Sequence, residues 1–252
     1  MIMMLSNLMV HWSNSIIIVQ EFILKNYVHL KSEEDLVNMA INTEFENDNS
    51  VELLGHYGSD TMHAQSAWTS TSRELTEAKL GRVDKLLNML ASEGHHTPFE
   101  KSGLHFLVNV DQATHIHLLK HRIGVSINGE SARYKELKED KTYIPFDWSN
   151  RWQLKLSEYT EEGNKLYHEA LEYFTPILGR KRAKESAIFF KTFNSQISID
   201  VMFNWRSFYH FQQLRNSEHA QKEVRQLAEE MLNLVKNIEG NPFEKTIKAF
   251  NL

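Results

Sequence analysis

Residues 103–122 change period partway along, and that change limits what the chain can become. Leu104, Phe106, Val108 and Val110 fall on one side of an alternation and His105, Leu107 and Asn109 on the other. This two-residue repeat is the mark of a strand. Asp111 then stands where a helix N-cap belongs, and 112–122 reads as a helix that delivers a basic loop at its C-terminal end. A strand feeding a helix within twenty residues needs both a sheet and a helical layer to bury its apolar sides, which points to an α+β fold.

The rest of the chain fits that frame. Leu80, Val83, Leu86, Leu87 and Leu90 share one face of a helix predicted over 77–93, with Gly94 as its stop. Helices are also expected over 154–174, 181–193, 199–214 and 218–238. The last carries Val224, Leu227, Ala228, Met231, Leu234 and Val235 at helical spacing. Residues 1–50 read as a strand or two followed by the polar stretch 44–50. With only 10 Gly and 4 Pro in 252 residues, and no linker or repeat, the expectation is a single domain over 1–252. In it a strand-rich first half gives way to a helical second half.

Met1–Leu5 and Ile16–Val19 are too short for a membrane span, because His11 to Ser15 interrupt them and Gln20 and Glu21 close them. A signal peptide wants an early cation, and none precedes Lys25. The reading is a cytoplasmic protein with no membrane partner. Its net charge of -5 also argues against a general nucleic-acid binder. The chain has no cysteine, which excludes disulfides, thiolate metal sites and a cysteine nucleophile.

Against this acidic background, 120–134 gathers Lys120, His121, Arg122 and Arg133 around small polar side chains and Glu130. Guanidiniums fork onto phosphate oxygens, so the loop suggests a phosphate-bearing substrate, with Ser131 orienting it. The competing reading is a solvated turn whose cations pair with Glu130, Glu136, Glu139 and Asp140. His117 and His121 lie at i and i+4, the spacing of a zinc pair, but no third ligand is in register and no metal is expected. His95-His96-Thr97-Pro98-Phe99-Glu100 forms a turn able to contact a polar cofactor or to cap itself. Asn204-Trp205-Arg206-Ser207, with His210, Arg215 and His219-Ala220-Gln221, places cations at the edge of an aromatic layer. No G-x-G-x-x-G or Walker sequence exists, so any nucleotide is held without a Rossmann device.

Taken in order, these segments resemble the flavin-dependent thymidylate synthases. Lys120-His121-Arg122 followed by Ser131-Ala132-Arg133-Tyr134 is similar to the family's Arg-His-Arg and Ser-x-Arg-Tyr hallmark. The His95–Glu100, Asn204–Ser207 and Leu214–Gln221 segments resemble three further blocks, and Gln65–Ser70 a weaker one, over about 55–250. The resemblance implies a twisted antiparallel sheet flanked by long helices. It implies a homotetramer with active sites at subunit junctions and reductive methylation of dUMP to dTMP. Methylenetetrahydrofolate would be the carbon donor, and FAD reduced by NADPH would supply the hydride.

Carried over by position, Ser70, His95, Thr97, Lys120, His121, Arg122, Asn204, Arg206 and His210 would hold FAD. His117, Glu130, Ser131, Arg133 and Arg215 would hold dUMP. Ser131 is expected to position the substrate, and Arg215 to stabilise charge developing on the uracil. The departures are Lys120 for the first arginine, a loop one residue longer before Ser131, His117 for a glutamine, and His210 for an asparagine. Ile188 also stands for a substrate-binding arginine, with Lys184 and Lys191 as replacements. Other readings are a nonenzymatic nucleotide- or nucleic-acid-binding module, a His117–His121 metal hydrolase, and a methylase acting on both UMP and dUMP.

Overall fold

The computed structural model describes residues 49–252, so the strands, polar stretch and apolar runs read in 1–48 lie outside the described residues. Four antiparallel strands form one sheet, β1 (Ser50–Tyr57), β2 (Gly103–Asp111), β3 (Val125–Gly129) and β4 (Gln196–Phe203), in the order β1-β2-β4-β3. The expected α+β class with an antiparallel sheet and flanking helices is what forms. The alternating segment becomes β2, and Leu104, Phe106, Val108 and Val110 are all fully buried.

The division into a strand-rich first half and a helical second half is corrected. The central strand β4 comes from the second half, where a helix was expected over 199–214. Ile197, Ile199, Val201 and Phe203 alternate into the core, and these β-branched and aromatic residues suit a pleated surface. The helix begins only after Asn204, whose side-chain Oδ1 accepts from Ser207 N at 2.9 Å and caps it.

The helices are α1 (Asp60–Trp68), α2 (Glu77–Leu80), α3 (Val83–Ser92), α4 (Gln112–Leu118), α5 (Asn150–Leu178), α6 (Arg180–Ala187), α7 (Trp205–Arg215), α8 (Lys222–Lys236) and α9 (Glu244–Ala249). Those predicted over 154–174 and 218–238 fall on α5 and α8, while 77–93 breaks at Gly81–Arg82 into α2 and α3. The helix expected over 112–122 stops at Leu118. Its last turn tightens, with His121 N bonded to Leu118 O at 3.0 Å. α6 ends at Ala187 and runs into a 3-10 turn, Ile188–Phe190. Among the described residues, no helix is long and apolar enough to cross a membrane.

One face of the sheet is apolar. α7 packs there on β2 and β4, and α8 packs on β1. The opposite face is polar: His105 Nε2 donates to Asp200 Oδ1 at 2.9 Å, and Ser198 Oγ to Asn109 Oδ1 at 2.6 Å. α5 and α6 form a separate small core from Tyr167, Leu171, Ala183 and Ala187.

Under the sheet, Asp60 caps α9. Its carboxylate accepts from Lys245 N and Thr246 N, both at 2.8 Å, and from Thr246 Oγ1 at 2.6 Å. Because that hydroxyl proton points at Asp60, the 3.0 Å contact between His63 and Thr246 must be donated by His63 Nδ1–H. The other ring nitrogen, Nε2, is then a bare lone pair among Phe99, Trp205 and Phe243, and it has no hydrogen-bond partner. Burial pushes the His63 imidazole down to about 4.

The α4–β3 connection turns at Gly124, whose φ is +67°. A Cβ there would come within 2.3 Å of Ser207 Oγ and 2.5 Å of Asn204 Nδ2. Gly124→Ala is therefore expected to destabilise the protein by about 1–3 kcal/mol, measured by urea denaturation. A second prediction concerns acid. The folded-state pKa of His63 lies below its unfolded value of 6.5. The unfolded chain thus takes up the proton first as pH falls. The contribution is intact above pH 6.5 and is lost towards pH 4, by up to roughly 3 kcal/mol. His63→Gln, which cannot titrate, should flatten the fall in urea stability between pH 7 and pH 4.5. Parallel profiles for the two proteins would remove His63 from the acid response.

Candidate functional site

Helix α7 is where the separated sequence blocks meet. At its start, Asn204 N donates to Gly124 O at 3.2 Å and Ser207 Oγ to Ile123 O at 2.7 Å. The cap residue and the following serine thus tie the end of the basic loop to the helix, leaving Arg122 and Ile123 projecting into solvent. Lys120 and Arg122 are exposed and make no ion pair among the described residues. Arg206 Nη1, in the first turn of α7, bonds Glu100 Oε1 at 2.6 Å. That pair fastens the 3-10 turn Thr97–Glu100 beside the helix. Thr97 is exposed at the head of this turn. His95 just before it is also exposed, with Glu93 at 3.5 Å. Ser70 follows α1, and its hydroxyl is spent on Ala67 O at 3.0 Å.

At the far end of α7, Arg215 Nε donates to His121 Nε2 at 3.0 Å. His121 is buried, with its ring against Phe211 at 5.0 Å and near His210 at 5.9 Å. Burial first, then the charges of Arg215, His210 and His117, lower its pKa to about 4. The imidazole is neutral at ordinary pH and can only be accepting at Nε2. His117 donates instead to Gln221 Oε1 at 2.9 Å. α4 ends at Leu118, between the two histidines, and the Nε2 atom of each already has a protein partner. Among the described residues no cluster of three or more His, Asp or Glu could hold a metal.

The third part is the strap after β3. Glu130 N donates to Ser198 O at 2.8 Å and its carboxylate meets Lys135 at 2.6 Å. Ser131 O accepts the amides of Tyr134 and Lys135, both at 3.0 Å, forming a turn. Its hydroxyl faces only Arg133 N, at 3.4 Å, so no base stands ready to activate it. Arg133 Nε bonds Glu185 Oε1 at 2.7 Å, and Arg182 reaches the other oxygen at 3.4 Å. The Arg133 guanidinium holds Glu185 below the usual carboxylate range.

A cavity of about 470 Å³ opens beside this strap, lined by Glu130, Tyr134, Arg180, Lys184, Lys191 and Ser198 among others. Ser131, Arg133 and Arg215 are not in its walls. The two candidates for the position of Ile188 separate here. Lys191 is 4% exposed, committed to Asp140 and to Asn164 Oδ1 at 2.7 Å. Lys184 touches only Tyr134 O, at 3.0 Å, and stays available at the cavity.

The structure therefore gathers Arg206, Asn204 and the Thr97 turn near the start of α7, and His117, His121, His210 and Arg215 further along it. It leaves Arg133 on the strap against α6. Sequence reading missed Glu100, Glu185 and Gln221 as partners. Glu100 and Gln221 lie inside the His95–Glu100 and Leu214–Gln221 segments, whereas Glu185 lies in none of the family-like blocks.

Residues 52–239 match the Thy1 family, thymidylate synthase complementing protein. The flavin-dependent thymidylate synthase of Pseudothermotoga lettingae is 31% identical over 206 residues, 79% of this chain and 90% of that protein. The enzyme of the same name from Clostridium tetani is 31% identical over 185 residues, covering 69% and 73%. Among solved structures, the UMP/dUMP methylase PolB from Streptomyces cacaoi, bound with 5-Br dUMP, superposes with a TM-score of 0.69 at 25% identity. That match covers 83% of this chain and 97% of PolB. With the family match spanning most of the chain, and the Thr97 turn and the basic loop both bonded to α7, this protein belongs to the Thy1 family, among relatives named flavin-dependent thymidylate synthases.

Proposed function

We propose that this chain reductively methylates dUMP to dTMP as a flavin-dependent thymidylate synthase, using methylenetetrahydrofolate as carbon donor and NADPH as reductant. The observation that carries this reading is the convergence on α7. Two blocks far apart in sequence are fastened to it, one by Arg206–Glu100 and the other by Ser207–Ile123 and Arg215–His121. FAD, when bound, would supply hydride chemistry, which suits a chain with no thiolate to attack the pyrimidine.

The donor set fits such a dinucleotide. Lys120 and Arg122 are cations without an internal carboxylate, as a pyrophosphate requires, with Thr97, His95, Ser70, Asn204, Arg206 and His210 around them. Glu130, Ser131, Arg133, His117 and Arg215 would hold dUMP. Ser131 would position it, and Arg215 would face the charge that develops on the uracil. Lys184, bonded to the Tyr134 carbonyl and not to a carboxylate as Lys191 is, is the better replacement for an arginine at Ile188.

Neither Arg133 nor Arg215 lines the cavity beside the strap, and the proposed assembly is a homotetramer whose sites are completed at subunit junctions. The assignment carries with it one catalytic domain over 1–252 and a cytoplasmic location. A second reading, methylation of UMP as well as dUMP, is favoured by the likeness to PolB, whose name states both substrates.

The purified protein should be yellow, and its flavin absorption should shift when dUMP is added. A colourless protein that fails to take up FAD would remove the assignment. Side-by-side turnover of dUMP and UMP distinguishes the two readings. Arg133→Ala should weaken dUMP binding by about 1.5–3 kcal/mol, the scale of a lost charge-assisted hydrogen bond, measured by titration calorimetry. An unchanged affinity would take Arg133 out of the nucleotide site.

A further inference from the structure

We infer that His121 is a positioning residue for Arg215 rather than a contact to the flavin, and that its neutrality is the property the site uses. This rests on the reading of Arg215 as the group facing the uracil. The chain's other well-placed arginines are held by carboxylates: Arg133 by Glu185, Arg180 by Glu136, Arg206 by Glu100. Arg215 is held by an imidazole, with its Nε 3.0 Å from His121 Nε2. A carboxylate partner would fix the guanidinium but cancel most of its charge and compete with any anion approaching it. A neutral imidazole accepts one Nε–H and leaves the full positive charge, and the Nη groups, for the ligand.

The surroundings fix the imidazole itself. His121 is buried, its ring lies edge-on to Phe211, and its backbone N–H is bonded to Leu118 O at 3.0 Å where α4 ends. The side chain is thus oriented by the end of α4 and by the apolar side of α7, and has little freedom left with which to follow a ligand. Its exposed neighbours Lys120 and Arg122 face solvent and are the ones able to meet the cofactor.

The test uses the flavin-loaded enzyme with dUMP and a series at His121. His121→Met, which accepts no guanidinium proton of consequence, should lower kcat about ten- to hundredfold, with FAD affinity close to wild type. His121→Gln places an amide oxygen near the Nε2 position and should recover most of that loss. His121→Glu keeps an acceptor but neutralises Arg215, and should remain slow. In an Arg215→Ala background, His121→Met should cost nothing further, because its effect passes through the missing arginine.

The inference is overturned if His121→Met chiefly weakens FAD binding, if Gln is as damaging as Met, or if the losses add in the double variant. Should His121→Met not fold, the contrast between Gln and Glu carries the test, and equal rates for the two would refute it. Wild-type protein that neither binds FAD nor turns over dUMP would overturn the functional reading, and this inference with it. Wild-type turnover with a flat His121 series overturns the inference alone.

Discussion

The contact between α7 and the centre of the sheet is the constraint from which the site hangs. Phe208 stacks on Phe106 of β2 at 5.9 Å, Phe211 lies 5.4 Å from Phe203 of β4, and Trp205 stacks on Phe243 at 5.1 Å. Each fully buried aromatic side chain contributes roughly 1.5–3 kcal/mol, so this layer fixes the helix in position and rotation. Once that face is committed to the core, Arg206, His210 and Arg215 can lie only along its rim. A helix of eleven residues anchored in this way can receive the Thr97 turn at one end and the end of α4 at the other without either moving it.

Much of the architecture was legible because periodicity survives in single segments. β2, α8 and the middle of α5 each carry a repeat long enough to read, and the structure places them where the pattern does. β4 is hidden in the sequence because its alternation runs directly into a true helix, so that 199–214 reads as a single helix. The information that divides it is one residue, Asn204, acting as cap. The end of α4 was misjudged for a related reason. The residues after Leu118 are acceptable in a helix, and nothing local to them marks the stop; Gly124, with φ +67°, lies against Ser207 and Asn204 only further along the connection.

The site was legible as a set of residue types and much less so as a set of partnerships. The hallmark blocks name the cations but not what each one meets. Arg206 and Glu100 are separated by 106 residues, Arg215 and His121 by 94, and Arg133 and Glu185 by 52. No local pattern encodes such pairs, because they exist only after the sheet has brought the blocks together. The zinc-like spacing of His117 and His121, which reads without a metal, shows the same dependence on tertiary context. An i,i+4 spacing has meaning only on a continuous helix, and here the helix ends between the two.

These partnerships sort the cations into kinds with different consequences for an anionic ligand. Arg133 already holds a carboxylate. Glu185 takes the Arg133 Nε and offsets part of its charge, so an anion arriving at the remaining Nη groups meets a partly neutralised guanidinium. Lys120 and Arg122 hold no carboxylate, so they lose only water when an anion arrives, at some expense in side-chain entropy. Arg215 is of a third kind, held in place yet not neutralised. Free and partly neutralised cations suit ground-state binding of phosphates, because their attraction is the same before and after the chemical step. A preoriented, uncancelled charge suits the step itself, because it need not reorganise as negative charge appears. On this chain the distinction follows from whether the residue facing each guanidinium is solvent, a carboxylate or an imidazole.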